Sequence, residues 1–215
     1  MSDKKYNPSI VEEGIGGLTI LSCILFSPVL RPWYRKWGAT EEEIQKPLPG
    51  DDQVVQPNLE TTRAISIQSP IEKVWPWLVQ IGQGRGGLYS YERLENLVGC
   101  DMHNADRIIP EYQELTVGDK IRLTPEGKGP FFTVEAVIPG KALILGGDIP
   151  PTSWSFILEP IDEKSTRLLI RFRQQYEPTF FNTLMWRVLT DPISFVMERM
   201  LLKGIQLRAE NSLSI

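Results

Sequence analysis

Histidine is nearly absent from this sequence, with one in 215 residues, and cysteine occurs twice. One histidine excludes a two-histidine zinc site and leaves little room for imidazole catalysis. Cys23 and Cys100 are too few and too far apart for a disulfide framework, and they suit a reducing compartment. No Gly-x-Ser-x-Gly, His-Glu-x-x-His, Walker-type loop or Cys-x-x-Cys occurs. Triad hydrolases, metalloproteases, phosphate-loop enzymes and dithiol oxidoreductases therefore have no motif to stand on, and no metal or cofactor is expected. Basic charge is also short. The chain carries 23 Lys and Arg against 27 Asp and Glu, a formal net charge of −4. A nucleic-acid partner would need a basic stripe against phosphates, so none is expected. What is present is apolar: 41% of residues are hydrophobic, enough for a packed core and too much for a disordered chain.

Residues 14–30 contain no charge. This run lies at the lower edge of what crosses a bilayer, which takes about 20 apolar residues. Glu12 and Glu13 precede it, and Arg31, Trp33, Tyr34, Arg35, Lys36 and Trp37 follow. A basic and aromatic cluster at the end of an apolar run suits a membrane interface, with the body on the cytoplasmic side. The alternative is a helix docked on the body, since Gly, Ser and Pro28 dilute the run. A cleaved signal peptide is not expected, because no small-residue cleavage pattern follows. Residues 1–37 thus form an N-terminal apolar segment that is a candidate anchor. Residues 38–60, with Gly38, Pro47, Pro49, Gly50 and Pro57, read as a linker. The body is expected over 61–212.

Arg63, Ile65 and Ile67 alternate with Ala64, Ser66 and Gln68 at strand spacing. Ser69-Pro70-x-Glu72 then reads as a helix start, with Ser69 as N-cap. Val74, Trp75, Leu78 and Ile81 continue that helix through Pro76, and a second helix is expected over Tyr89–Val98. Strand character follows at 120–124, 131–138, 142–145, 154–159 and 167–174, with turns that make antiparallel hairpins. Asp191-Pro192 is expected to restart a helix whose stripe is Ile193, Val196, Met197, Met200, Leu201 and Ile205. The fold class is α+β: a curved antiparallel sheet of about six strands around a long C-terminal helix, with two short helices after the first strand. A sheet with one apolar face needs a cover, and the last helix supplies it. A cavity between the two is the consequence. Trp154, Phe156 and Leu158 are placed on its wall, and Leu168, Ile170 and Phe172 are preferred as the inward set of the last strand. Arg167, Arg171 and Arg173 then form a solvated outer face paired with Glu159 and Glu135, or else one of them is buried inside against an anion.

The element order, with Ser-Pro-Ile-Glu-Lys-Val-Trp-Pro-Trp-Leu-Val-Gln-Ile-Gly (69–82) and Phe-Val-Met-Glu-Arg-Met-Leu-Leu-Lys-Gly (195–204), resembles the SRPBCC superfamily of START-like, helix-grip proteins over about residues 60–210. Residues 31–40, 82–91 and 103–108 are similar to a bacterial branch of it. The resemblance implies a cavity for a hydrophobic ligand and not one activity, since the superfamily ranges from lipid-transfer domains to polyketide cyclases.

Gly82-x-Gly84-x-x-Gly87 formally matches a dinucleotide fingerprint, but a helix precedes it and no βαβ pattern follows, so it reads as a sharp turn at the cavity mouth. Arg85 within it either faces solvent or meets an anionic ligand group. Asp101, His103, Asn104 and Asp106 are the one dense polar cluster. It reads as a loop network capping backbone groups, as a site with His103 as acid or base oriented by Asp101 or Asp106, or as an Asp/His metal site for which the sequence offers no third and fourth ligand. The aromatic and Met residues Trp75, Tyr89, Tyr91, Trp154, Phe156, Phe172, Met197 and Met200 are candidate ligand contacts and equally candidate core. Three functions follow. The first is binding or transport of a lipophilic small molecule in the grip. The second is a cyclase- or hydratase-type enzyme using His103, Asp101 or an interior Arg. The third is a membrane-tethered interaction domain held by residues 14–30, without turnover.

Overall fold

Alternating residues from Leu59 to Ile67 form β1 at one edge of a six-stranded antiparallel sheet. The other strands are β2 (Lys120–Arg122), β3 (Phe131–Ile138), β4 (Ala142–Asp148), β5 (Pro151–Asp162) and β6 (Ser165–Gln174), in the order β1-β6-β5-β4-β3-β2. The computed structural model describes residues 7–148 and 150–211; the expected ends of the N-terminal segment (1–6) and of the body (212) lie outside them. Among these residues the helices are α1 (Ile10–Leu25), α2 (Ser27–Tyr34), α3 (Glu41–Gln45), α4 (Ile71–Val79), α5 (Glu92–Leu97), α6 (Phe180–Leu184) and α7 (Asp191–Asn211). This order, with the sheet curled around α7, is the helix-grip fold.

Period-2 pairing sorts the side chains into two faces. Arg63 lies opposite Ile170, which lies opposite Phe156; Thr61 lies opposite Phe172, which lies opposite Trp154. This inner set joins Leu78, Ile121, Leu143, Leu201, Leu202 and Ile205 in the main buried cluster. Leu168, Ile170 and Phe172 therefore face inward as expected.

The outer face is not solvated. The stretch read as a linker carries α3 and a 3-10 turn at 51–53, and it lies across the convex side of the sheet. Leu48 packs there with Ala64, Ala142, Ile157 and Leu169. The three arginines hold it down. Arg167 donates to Glu43 at 2.7 and 2.8 Å. Arg171 reaches Asp51 at 3.0 Å and donates to the carbonyls of Glu43 and Ile44 at 2.9 and 3.0 Å. Those carbonyls are orphans at the end of α3, which is why a buried guanidinium suits the position. Arg173 pairs with Glu60 at 3.0 Å, while Glu159 pairs with Lys46 instead.

Helix boundaries differ from expectation at several points: α5 starts at Glu92 and not at Tyr89, whose positive φ of 55° is not helical. The first helix after β1 begins one residue later, with Pro70 at the cap, because the Ser69 hydroxyl donates to the Ala209 carbonyl on α7 at 3.2 Å. The C-terminal helix has no break at Asp191-Pro192: α6 runs through a π-helical stretch, Met185–Thr190, directly into α7. Wider helical turns tolerate the missing proline N–H.

The N-terminal helices pack on the other side of α7. Tyr34 stacks on Phe195 with ring centroids 5.3 Å apart. Gly16 sits so close to the Tyr91 ring that an added Cβ would come within 2.8 Å of it. Glu13, buried on α1, accepts the backbone N–H groups of Arg93 and Leu94 at 3.1 Å each and so caps α5 from a neighbouring helix. Past α2, Thr62 donates to the Arg35 carbonyl at 2.9 Å and Ala64 to the Trp37 carbonyl at 3.1 Å, so residues 35–37 lie along the free side of β1.

Candidate functional site

The inner face of β1, β5 and β6 divides into an apolar part and a polar end. Phe132, Trp154 and Phe156 form a run of tilted rings, with centroids 5.3 and 4.7 Å apart. Trp154 and Phe156 are buried and Phe172 is half-buried. In this conformation the expected cavity is occupied by these side chains together with Leu201 and Ile205 of α7.

At the polar end stands an ion cluster. The Arg63 guanidinium pairs with Glu198 of α7, lies 3.5 Å from Asp191, and donates to the Tyr34 carbonyl at 3.0 Å. Asp191 is shared, since Arg31 reaches it at 3.2 Å and Arg35 lies 3.9 Å away. Burial pushes the Glu198 carboxyl above its ordinary value, against the pull of Arg63. One step along the same face, Thr61 and Gln174 are only 3% and 2% exposed, yet Thr61 Oγ1 and Gln174 Oε1 have no hydrogen-bond partner. The Trp154 indole N–H approaches Glu198 without completing a hydrogen bond to it. A buried polar atom left unpaired costs about 1–3 kcal/mol, so three on one face call for an account.

The sequence candidates divide. Trp75, Tyr89, Trp154, Phe156 and Phe172 join or border the main core. Tyr91, Met197 and Met200 lie on the far side of α7, packed with Cys23, Tyr34 and Phe195 against α1 and α2. Tyr89 donates its hydroxyl to the Trp77 carbonyl at 3.0 Å, and burial raises its pKa. Arg85 turns inward, donating to the carbonyls of Val79 and Tyr112 at 2.9 and 3.1 Å; its burial lowers its pKa. The glycine turn around it closes by paired hydrogen bonds between Gly82 and Gly87 at 2.9 and 3.0 Å. Gly87, at φ +77°, leaves no room for a Cβ beside Asn104.

The polar cluster behaves as a loop network. Asn104 accepts from Tyr89 N at 2.7 Å and donates to the Ser90 carbonyl at 3.1 Å, and Asp106 meets the buried Arg208 at 3.4 Å. His103 does come within 3.3 Å of Asp101 and 3.6 Å of Glu92, but its side chain is 76% exposed and that of Asp101 69%. Surface cavities open elsewhere. One of about 540 Å³ lies between α2 and β1, and one of about 240 Å³ lies beside the β4–β5 turn. Neither is lined by His103, Asp101, Arg85, Trp154, Phe156 or Phe172. Among the described residues no group of His, Cys, Asp and Glu is arranged to hold a metal ion.

No family model matches the chain, and no curated protein matches it. Among solved structures, it is similar to the Zhui aromatase/cyclase from Streptomyces sp. R1128, with 11% identity over 72% of this chain and 95% of that one, at a TM-score of 0.44. A polyketide-cyclase-like protein from Corynebacterium glutamicum shares 14% over 72% and 93%, at 0.42. An Aha1 dimer from Colwellia psychrerythraea shares 21% over 69% and 97%, at 0.41. The assignment to the helix-grip class rests on the strand order and on the seat of α7.

Proposed function

We propose that this helix-grip domain binds one amphipathic small molecule between its sheet and α7. The apolar body of the ligand lies along Trp154, Phe156 and Phe172, and its polar end lies at Thr61 and Gln174. The observation that carries this reading is the pair of buried, unpartnered polar atoms, Thr61 Oγ1 and Gln174 Oε1, at one end of an aromatic wall. Binding energy is gained when such groups find partners that the empty fold does not supply. Because the interior is filled, binding repacks Trp154, and its fluorescence reports the event. Native mass spectrometry of the full chain purified from its own host is expected to reveal a co-purifying small molecule. Titration of stripped protein with parinaric acid is expected to change the tryptophan emission saturably.

Thr61→Val separates this reading from a purely structural one. Losing an unpaired hydroxyl is expected to raise the unfolding free energy by about 1 kcal/mol. The same change is expected to weaken ligand binding roughly tenfold, the worth of one hydrogen bond at about 1.4 kcal/mol. Unchanged affinity in this variant removes Thr61 from the site. A chain that carries no ligand and shows no fluorescence response sinks the reading as a whole.

A further inference from the structure

The outer surface of α1 and α2 is the reverse of a solvated helical surface. On α1 the residues turned toward the protein are Glu13, Gly16 and Cys23, while Val11, Ile15, Leu18, Leu21 and Leu25 face outward. With Phe26 and Val29 at the bend, these side chains are between 56% (Ile15) and 78% (Val29) exposed. A monomer in water rarely shows so continuous an apolar face. The two hydroxyls on this helix make no demand on solvent, because Thr19 Oγ1 donates to the Ile15 carbonyl at 2.7 Å and Ser22 Oγ to the Leu18 carbonyl at 2.9 Å. Internal satisfaction of this kind lets a helix surface sit in hydrocarbon.

A second, distant part of the chain adds to the same end. Ser27 Oγ donates to the Arg187 carbonyl at 3.4 Å, and Arg31 reaches Asp191, so α2 runs alongside the start of α7. The preceding helix α6 therefore projects past the α1–α2 bend, carrying Phe180 (85% exposed) and Phe181 (67%). Beside the apolar face the charge changes. Trp33 is exposed, and three cations, Arg31, Arg35 and Lys36 (the last paired with Glu41 at 3.1 Å), line the cleft of about 540 Å³ under α2 with one carboxylate, Glu60. Arg35 Nε there is buried without a hydrogen-bond partner.

We infer that this face docks the protein on an anionic lipid bilayer. The outer sides of α1, the α1–α2 bend and α6 lie in the interface, and the basic cleft receives a phospholipid headgroup. Charge selects the occupant: an uncharged apolar surface bordered by Trp and by Arg and Lys matches acyl chains beneath phosphates. A second copy of the chain would oppose the same cations to each other. In this docking the face lies on the membrane: α1 and α2 have the length and apolar composition to cross only as a pair, and that pair is sharply bent. No single helix among the described residues is long and apolar enough to cross, α1 being about 24 Å long at 1.5 Å per residue. Helices α1 and α2 meet at a bend of 114°. Ligand binding in the grip is a separate matter, and Thr61→Val is expected to leave docking unchanged.

The test is co-flotation of the full chain with vesicles of phosphatidylcholine, alone or mixed with phosphatidylglycerol. Wild-type protein is expected to float with the mixed vesicles and several-fold less with phosphatidylcholine alone, and to lose binding as salt rises from about 0.1 M to about 0.5 M. Leu18→Glu and Phe26→Glu are each expected to lower the bound fraction about tenfold, and Lys36→Glu severalfold on mixed vesicles only. These side chains are exposed, so circular dichroism and the thermal midpoint should match wild type and show that the variants fold. Flotation on neither vesicle overturns the inference. So does binding that Leu18→Glu and Phe26→Glu leave intact, or equal binding to both vesicle types. A concentration-dependent oligomer broken by Leu18→Glu, without vesicle binding, assigns the face to self-association and likewise overturns it.

Discussion

Exchanging Arg63 for methionine is expected to lower the free energy of unfolding by about 3–5 kcal/mol, the loss typical when one partner of a buried ion pair is removed. The cost comes from what stays behind. Glu198 sits on α7 with its carboxyl enclosed and with Arg63 as its ion-pair partner, whereas Asp191 keeps Arg31 and Arg35. A left-over carboxylate must either remain charged in an apolar place or take up a proton. The double replacement Arg63→Met, Glu198→Met removes both charges together and is expected to recover most of the loss. Urea unfolding of the two single variants and the double variant measures the coupling directly. A loss below about 1 kcal/mol in Arg63→Met would mean that the pair does not bind α7 to β1.

Glu95 is the second position with a large expected effect, and its effect depends on pH. Its side chain on α5 is 6% exposed, and its Oε2 has no partner. Burial first, and then the nearby Glu13 and Glu92, push its pKa from the ordinary 4.5 to about 8. Across that interval the folded protein holds a proton that the unfolded chain releases. The unfolding free energy therefore falls as pH rises from about 4.5 through about 8 and is level in this contribution above it. The loss is on the order of 5 kcal/mol, about 1.36 kcal/mol for each pH unit of the shift. Glu95→Gln keeps the shape and removes the titration. Its thermal midpoint should exceed that of wild type by a margin that grows between about pH 5 and about pH 8 and is level above. A margin that stays constant across the range would show that Glu95 does not hold the proton.

Much of the fold was legible because a strand pairing with one apolar face leaves a period-2 trace. Trp154-x-Phe156-x-Leu158 and Leu168-x-Ile170-x-Phe172 announced both their strands and their inward side. The outer side was not legible in the same way. Arg167, Arg171 and Arg173 have the same spacing whether water or protein covers them, and their partners Glu43 and Asp51 lie more than 110 positions away in sequence. For Arg63 a signal existed: it shares the parity of Ile65 and Ile67, so its guanidinium had to enter the grip and find an anion there. Glu198, three positions after Phe195 and three before Leu201 on the buried side of α7, carried the matching signal. Thr61 and Gln174 carried none, since only the finished packing shows which polar atoms remain unpaired. Met197 and Met200 were misplaced because α7 buries two faces at once, one against the sheet and one against α1 and α2, and a stripe of apolar residues does not say which is which.

The backbone contacts between residues 35–37 and β1 decide where this chain can be cut. A fragment beginning near Thr61 keeps every strand, yet it uncovers the N–H groups of Thr62 and Ala64 along an edge strand. Bare edges of this kind recruit strands from other molecules, and such a fragment is expected to aggregate rather than to report on the isolated grip. Residues 35–37, a turn and not a strand, therefore act as a built-in guard, and the segments before Thr61 are part of what keeps the sheet from pairing with its own copies.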